Sequence, residues 1–251
     1  MAILYVASES MELEPLAQRL TGLRKLKWPV DYAYEGIWEG RRIMLAANGA
    51  GPRLAAHAVE IAIRAVTAAD LSSSKLETII STGFCGALDP ALEVSQIIVA
   101  TEVLDLQSQS RFAASSITSP NNTVTSGVIV SQDRVAQNAA EKQTLHAWGA
   151  IAVDMEAAAV AARAKRAGLP FACIKVVSDR AGESFGLDLN RMRSTDGHIR
   201  RGKISYYALT HPKVIPELLR LKRRTEGAAK VLGEFLVNCR ISSEPDSTPS
   251  E

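Results

Sequence analysis

The chain has 251 residues, of which 47% are hydrophobic and 22% are charged, and its formal net charge is +2. This composition excludes a disordered or fibrous protein and predicts a single large α/β domain. The near balance of 29 basic and 27 acidic residues argues against a dedicated nucleic-acid-binding protein, whose surface would carry charge of mostly one sign.

The cysteines and the N-terminal segment indicate the compartment. Cys85, Cys173 and Cys239 are odd in number and lack the spacing of a metal site, which predicts reduced thiols in a cytoplasmic protein without a bound metal. The N-terminal sequence MAILYVASES has a short apolar run with no basic lead, too brief for a signal peptide or a membrane span. We therefore expect no membrane partner.

The first predicted elements are a buried strand at residues 3–7 and a helix at residues 13–20. The connecting loop, SESMELEP, carries Glu9, Glu12 and Glu14. Because ligands of open parallel sheets bind at the carboxyl ends of strands, all three glutamates are candidate site residues. Favourable charges at a helix N-terminus explain the same acids without any site.

Two glycine-containing segments follow apolar strands. Antiparallel strands at residues 30–47 lead into NGAGPRL, where Gly49 opens a turn into a helix whose free N–H groups can face a polar ligand. A strand at residues 78–82 then enters a predicted loop, in which Gly83 and Gly86 permit close approach of the backbone to a ligand. Ordinary turns account for such glycines equally well.

The middle of the chain contains a polar segment at residues 105–125, which predicts a mobile loop or lid. A strand at residues 127–130 and a helix lead from it to a strand at residues 151–153.

Residues 153–180, VDMEAAAVAARAKRAGLPFACIKVVSDR, predict a strand, an alanine-rich helix and a second strand. Glu156 lies at the start of the helix and Asp179 at the carboxyl end of the second strand, where α/β folds expose site residues. Helix capping and a first-turn charge explain the two acids as well, and spacing alone favours that reading.

The segment after Asp179 is basic. Arg191, Arg193, Arg200 and Arg201 suit a phosphate or a phosphorylated substrate, although a solvated basic face is the commoner explanation. A helix is predicted at residues 214–237. Residues 241–251 predict a disordered tail, which leaves residues 1–240 as the folded domain.

The string VDMEAAAVA, followed later by VSDRA, resembles the signature of the purine nucleoside phosphorylase and nucleosidase superfamily, particularly of methylthioadenosine/S-adenosylhomocysteine nucleosidases. This resemblance implies a single α/β domain with a central mixed, mostly parallel twisted sheet flanked by helices. It also implies an enzyme that cleaves the N-glycosidic bond of a purine nucleoside. In such a protein Gly49, Gly83 and Gly86 would lie in turns that contact the sugar and the base through the main chain.

The resemblance assigns roles to the acids. Cleavage develops positive charge on the ribose and negative charge on the purine, so a proton donor, a sugar-binding carboxylate and a base for water are needed. The resemblance implies that Asp179 protonates purine N7 and that Glu156 accepts hydrogen bonds from the 2′ and 3′ hydroxyls. Aligning MELEPL with the family's acidic run selects Glu14 as the base that activates water, with Glu12 as the alternative.

Neighbours of these acids complete the expected site. Met155 would pack on the sugar, and Ser178 would orient the acid. Phe84 stands where family members commonly have serine, which helps phosphorylases hold phosphate; because a phenyl ring cannot accept that task, water is the favoured nucleophile. Val135 replaces an aromatic residue that stacks on adenine, unless Phe84 supplies that wall. Cys85 is expected to pack rather than react.

Three functions remain open at this stage. The first is hydrolysis of a 5′-modified adenosine, the second is phosphorolysis with phosphate as co-substrate, and the third is silent binding of a nucleoside. The expected partner is a small-molecule purine nucleoside, with no cofactor other than phosphate in a phosphorylase. The resemblance also implies a homo-oligomer, a dimer in preference to a hexamer.

Overall fold

A computed structural model describes residues 2–68, 75–119, 124–192, 210–211 and 214–241. The helices are α1 (Ser10–Ala17), α2 (Pro52–Ala68), α3 (Ala139–His146), α4 (Ala157–Arg166), α5 (Leu189–Met192) and α6 (Ile215–Asn238). The strands are β1 (Ala2–Ala7), β2 (Thr21–Lys25), β3 (Tyr32–Trp38), β4 (Arg41–Ala47), β5 (Leu76–Ala87), β6 (Ile97–Asp105), β7 (Arg111–Ala113), β8 (Ile117–Thr118), β9 (Thr125–Ser131), β10 (Ala150–Asp154), β11 (Phe171–Asp179) and β12 (Arg240–Ile241).

Ten of these strands form one mixed sheet in the order β10-β9-β6-β11-β5-β1-β4-β3-β2, with β7 beside β6. Strand β5 is 12 residues long and pairs with β1 through its first half. Its last residues pair with β10, where Ala87 faces Ala152 and Gly86 faces Val153. This additional ladder closes β5, β11, β6, β9 and β10 into a ring, from which the other strands extend.

Helices cover both faces of the sheet. Alternate residues of a strand point to opposite faces, so Leu4 of β1 packs in the layer under α2 and α4, whereas Tyr5 packs in the layer under α1 and α6. Strand β11 is buried along both faces, which explains its nearly continuous apolar sequence.

The α/β class, with a mixed sheet flanked by helices, is the one predicted from the sequence. The predicted strand at residues 3–7, the second strand predicted within residues 153–180 and the long C-terminal helix are all present. One difference concerns Gly83 and Gly86, which were expected in a loop. Strand β5 continues through both, because β11 pairs alongside it as far as Gly86.

The predicted lid at residues 105–125 contains β7 and β8. Residues 120–123 of this segment lie outside the described residues. Of the predicted tail, Ile241 belongs to β12 and pairs with Ile117 of β8, and residues 242–251 lie outside the described part of the chain.

The residues that the structure describes contain neither a membrane-spanning helix nor a cluster of metal-binding side chains. None of the helices in the described ranges is both long and apolar enough to cross a membrane. Within the same residues no group of three or more His, Cys, Asp or Glu side chains is arranged to hold a metal ion.

Candidate active site

A cavity of about 320 Å³ opens at the carboxyl ends of β1, β5, β10 and β11. Its volume lies within the range of small-molecule sites. Its lining includes nine residues proposed from the sequence: Glu12, Phe84, Cys85, Gly86, Val135, Met155, Glu156, Ser178 and Asp179. Four acids line this one cavity: Asp154, which pairs with Lys175, and Glu12, Glu156 and Asp179 from separate parts of the chain.

Glu12 is buried, with 2% of its surface exposed, and hydrogen bonds hold its carboxylate in place. Its Oε2 atom accepts from the Ser8 N–H at 2.9 Å, the Ser8 hydroxyl at 2.8 Å and the Glu9 N–H at 2.7 Å. Its Oε1 atom accepts from the Phe84 N–H at 2.8 Å. The contact with Glu9 is half of a capping box at the start of α1. These donors fix the carboxylate at the cavity wall.

The structure places Glu14 elsewhere. Its side chain is exposed, contacts the Ser10 hydroxyl at 2.9 Å and does not line the cavity. Two residues along a helix turn the side chain by about 200°, so Glu12 and Glu14 point in nearly opposite directions. Of the two glutamates that the resemblance offered, the structure therefore brings Glu12, the alternative, to the cavity and leaves Glu14 outside its lining. Helical spacing carried the signal, because Glu12 lies four residues before the buried Leu16 and shares its face.

Gly83 supplies the space that the Glu12 carboxylate occupies. It does not line the cavity, but a Cβ atom at this position would overlap the Glu12 carboxylate. Gly83 also has a φ of 116°, a conformation that other residues rarely adopt. Gly49 is likewise absent from the lining, and its N–H donates to the carbonyl of Ser8, a lining residue, at 2.8 Å.

We expect Gly83→Ala to destabilise the protein and to displace Glu12. The added methyl group meets a carboxylate that four donors hold in place, and the backbone strain adds to the cost. The free energy of unfolding should fall by roughly 1–3 kcal/mol, as measured by denaturant unfolding. Gly182→Ala is the matched control, since nothing lies within 4 Å of a Cβ atom built there. Equal stability of the two variants would contradict the prediction.

Glu156 is the N-cap residue of α4 and is 7% exposed. Its Oε1 atom accepts a hydrogen bond of 2.6 Å from the Gly51 N–H, just before α2. Burial raises the pKa of Glu156 to about 7; Lys175 opposes this effect, and Asp154 and Glu12 reinforce it. Burial therefore destabilises the charged form of Glu156 in the protein without substrate.

A buried ion pair lies behind Glu156. Lys175 of β11 is fully buried, and its Nζ atom lies 2.8 Å from Asp154 Oδ2 and 3.0 Å from the Thr82 carbonyl. The same Asp154 oxygen accepts from the Ala157 N–H at 2.9 Å and so caps α4. The pair therefore fixes the start of the helix that carries Glu156.

We expect Glu156→Gln to stabilise the protein at alkaline pH. The pKa of Glu156 rises from an ordinary 4.5 to about 7, so the folded protein binds this proton more tightly than the unfolded chain. Stability therefore falls as the pH rises from 4.5 to 7 and stays reduced above that range. Glutamine removes this cost, which is on the order of 3 kcal/mol at pH 8.

Thermal unfolding at pH 8 and at pH 5 checks this prediction. The melting temperature of Glu156→Gln should exceed that of the wild type at pH 8, and the gap should narrow at pH 5. Glu14→Gln serves as the control because its carboxylate is exposed. A gap that does not change with pH would contradict the prediction.

Asp179 ends strand β11 and is 6% exposed. Its Oδ1 atom accepts from the Ser178 hydroxyl at 2.6 Å. Across the ladder, a Cβ atom at Gly86 would lie 3.1 Å from Asp179 Oδ2, so glycine leaves room for the carboxylate. The Oδ2 atom accepts a hydrogen bond from the ammonium group of Lys142.

Lys142 is a site residue that the sequence analysis missed. It lies on α3, is 1% exposed and lines the cavity. Its Nζ atom also donates to the Arg180 carbonyl at 2.6 Å. The signal available was its spacing, because Lys142 lies three residues before the buried Leu145 and thus on the inner face of the helix.

A profile of the family described as "Phosphorylase superfamily" matches residues 2–196. The chain belongs to the phosphorylase superfamily. A curated member, the 5'-methylthioadenosine/S-adenosylhomocysteine nucleosidase of Staphylococcus aureus strain JH9, is 25% identical over 196 residues. The match covers 68% of this chain and 82% of that protein.

Several solved structures share the fold of this chain. A nucleosidase of the same name from Neisseria meningitidis, in complex with methylthio-immucillin-A, has a TM-score of 0.68 at 22% identity and covers 94% of this chain and 97% of its own. A Streptococcus pyogenes S-adenosylhomocysteine nucleosidase has a TM-score of 0.70 at 18% identity and 95% coverage of both chains. A Helicobacter pylori futalosine hydrolase mutant has a TM-score of 0.68 at 15% identity and covers 94% of this chain and 96% of its own.

The remaining walls of the cavity are mostly apolar. Val135 and Phe84 face it, together with Phe185, Leu218 and Leu221 from the C-terminal part of the chain. Cys85 is buried beside them, and burial raises the pKa of its thiol.

The arginines after Asp179 do not contribute to the described lining. Arg191 is exposed and pairs with Asp188 at 3.2 Å. Arg193, Arg200 and Arg201 lie outside the described residues.

Proposed function

We propose that this protein hydrolyses the N-glycosidic bond of an adenine nucleoside that carries a 5′ substituent, such as methylthioadenosine or S-adenosylhomocysteine. The observation that carries the proposal is the convergence of Glu12, Glu156 and Asp179 on one apolar cavity. The names of the curated relatives and of the nucleosidases that share the fold support the choice of substrate.

Each carboxylate has a position suited to one part of the reaction. Asp179, held by Ser178, delivers a proton to N7 of the departing purine, which would otherwise leave as an anion. Glu156 accepts hydrogen bonds from the ribose hydroxyls as positive charge develops on the sugar. Glu12 orients a water molecule and takes its proton as the oxygen attacks C1′. Met155 packs against the sugar between them.

Two observations favour water over phosphate as the nucleophile. Phe84 stands where the resemblance leads us to expect a serine, and its ring cannot hydrogen-bond an anion. The Phe84 N–H is bonded to Glu12 and is therefore not open to an anion either. Among the described residues of the lining, the basic side chains are Arg134 and Lys142, and each pairs with a carboxylate. The proposed reaction therefore needs no cofactor.

The decisive experiment follows release of the free base from methylthioadenosine, S-adenosylhomocysteine, adenosine and inosine, with and without phosphate. We expect adenine and the free sugar from the 5′-modified adenosines, at a rate that phosphate does not change. Release of a sugar 1-phosphate only when phosphate is present would make the protein a phosphorylase. Thermal stabilisation by a nucleoside without any product would make it a binding protein.

We propose that the protein is a cytoplasmic homodimer. Its free cysteines, of which Cys85 and Cys173 are buried, suit a reducing compartment. A second surface cavity of about 310 Å³ shares Met155 with the first and includes Asp105 and Gln107, so a neighbouring subunit there would adjoin the sugar side of the site. Light scattering should give twice the 27.0 kDa of one chain, and a mass equal to one chain would contradict the dimer.

A further inference from the structure

Lys142 is the most deeply buried cation of the cavity wall and lies against the proposed acid. An ammonium group out of water is costly unless it is paired and hydrogen-bonded. Here it donates to Asp179 Oδ2 and, at 2.6 Å, to the Arg180 carbonyl. The ring of Phe185 lies with its centroid 5.7 Å from Nζ, a cation–π distance.

The ion pair with Lys142 affects how Asp179 can obtain a proton for the purine. The Oδ2 atom of Asp179 accepts a hydrogen bond from an ammonium group, which has no acceptor lone pair, so this oxygen is arranged as an acceptor and not as a proton donor. The proposed function nevertheless requires a proton for the purine. The ammonium group bonded to Asp179 carries such a proton in direct contact with the carboxylate.

We propose that Lys142 is the source of the proton that Asp179 passes to the leaving purine, an inference that rests on the proposed function. As the C1′–N9 bond breaks, its electron pair moves into the purine. The Lys142 ammonium group gives a proton to the Asp179 carboxylate, and Asp179 passes that proton to N7. Lys142 is then a neutral amine, and Asp179 is again a carboxylate. Water supplies the hydroxyl group at C1′, and its other proton goes to Glu12.

The charges of this step balance. Before cleavage the site holds the ammonium group and the carboxylates of Asp179 and Glu12. Afterwards it holds the neutral amine, the Asp179 carboxylate and the protonated Glu12, so the total is unchanged. Return of one proton from Glu12 to Lys142 through solvent resets the site. Lys142 acts through Asp179 and is therefore a positioning residue that also stores the proton.

The test compares two leaving groups in the full-length protein. Adenine must be protonated, whereas 4-nitrophenolate leaves the same 5′-methylthioribose as a stable anion. We expect Lys142→Met to lower kcat for methylthioadenosine by about 10²-fold or more and to change the nitrophenyl riboside rate by less than about threefold. Lys142→Arg should show the same selective loss, because arginine keeps the charge but does not release a proton near neutral pH.

A purely structural role predicts a different pattern. Damage to the cavity would slow both substrates equally, and that result would overturn the inference, as would full activity of Lys142→Met on methylthioadenosine. Lys222→Met serves as the control, because the side chain of Lys222 is 70% exposed on α6. Its activity should match the wild type on both substrates.

A double-mutant cycle keeps the inference testable if Lys142→Met alone unfolds or if the riboside is not cleaved. Lys142→Met combined with Asp179→Asn removes both charges together and leaves no buried ion unpaired. If both residues lie on one proton path, kcat of the double variant should equal that of Asp179→Asn. A further multiplicative loss would overturn the inference. Absence of purine release by the wild type would overturn the proposed function as well, which distinguishes the two failures.

Discussion

Asp179→Asn is expected to lower kcat for adenine release by about 10²–10⁴-fold, with little change in substrate binding. The amide keeps the size of the carboxyl group and an oxygen that can accept the Ser178 hydrogen bond, now 2.6 Å long. It cannot pass a proton to N7, so the purine must leave without protonation. Steady-state kinetics with methylthioadenosine measure kcat. Calorimetry measures the Kd for adenine, which should be unchanged if the pocket is intact.

The control for this prediction is Asp89→Asn. Asp89 accepts a hydrogen bond from the Ala91 N–H at 2.8 Å in the turn after β5 and does not line the cavity. Its replacement should leave kcat unchanged. A turnover of Asp179→Asn close to that of the wild type would remove Asp179 from the acid role and, with it, the proton path through Lys142.

Glu12→Gln should lower kcat by about 10²–10³-fold, whereas Glu14→Gln should have near-normal activity. The amide cannot take a proton from the attacking water. The N–H groups of Ser8 and Glu9 now donate to one carboxylate oxygen, and that of Phe84 donates to the other. In either orientation the new NH₂ group replaces an oxygen that accepts from these donors, so at least one hydrogen bond is lost. A lower melting temperature should accompany the loss of activity.

The two glutamate variants together decide which acid is the base. They change the same functional group on the same helix, two residues apart, and differ in whether the side chain reaches the cavity. A large loss in Glu14→Gln with a normal Glu12→Gln would restore the assignment made from sequence resemblance. Equal losses would indicate that helix α1, rather than either carboxylate, is required.

Much of the fold follows from local sequence patterns. The apolar run of β11 predicts a strand covered on both faces, and the alanines before Gly168 predict the helix α4. The superfamily resemblance was confirmed by the family profile, and the α/β class by the fold that the solved structures share. The strand-helix-strand pattern also predicted that Glu156 lies at the start of a helix and Asp179 at the end of a strand, where α/β folds expose site residues.

Local patterns were insufficient where the position of a residue depends on distant partners. Gly83 and Gly86 resemble loop residues in sequence, yet they continue β5 because β11 and β10 pair beside them. The ring closed by β5 and β10 has no sequence signal, since it joins strands that are far apart along the chain and antiparallel.

Periodicity and short motifs are local properties, and they were enough to predict several of the strands and helices, the superfamily, and the positions of Glu156 and Asp179 at the ends of their elements. Local sequence does not show that Glu12 faces the cavity while Glu14 faces solvent, nor that Lys142 contacts Asp179. The physical reason is that the rotation of α1 and α3 against the sheet is set by packing with residues distant in sequence. A charged side chain on a short helix has no local pattern that states which partner it will contact.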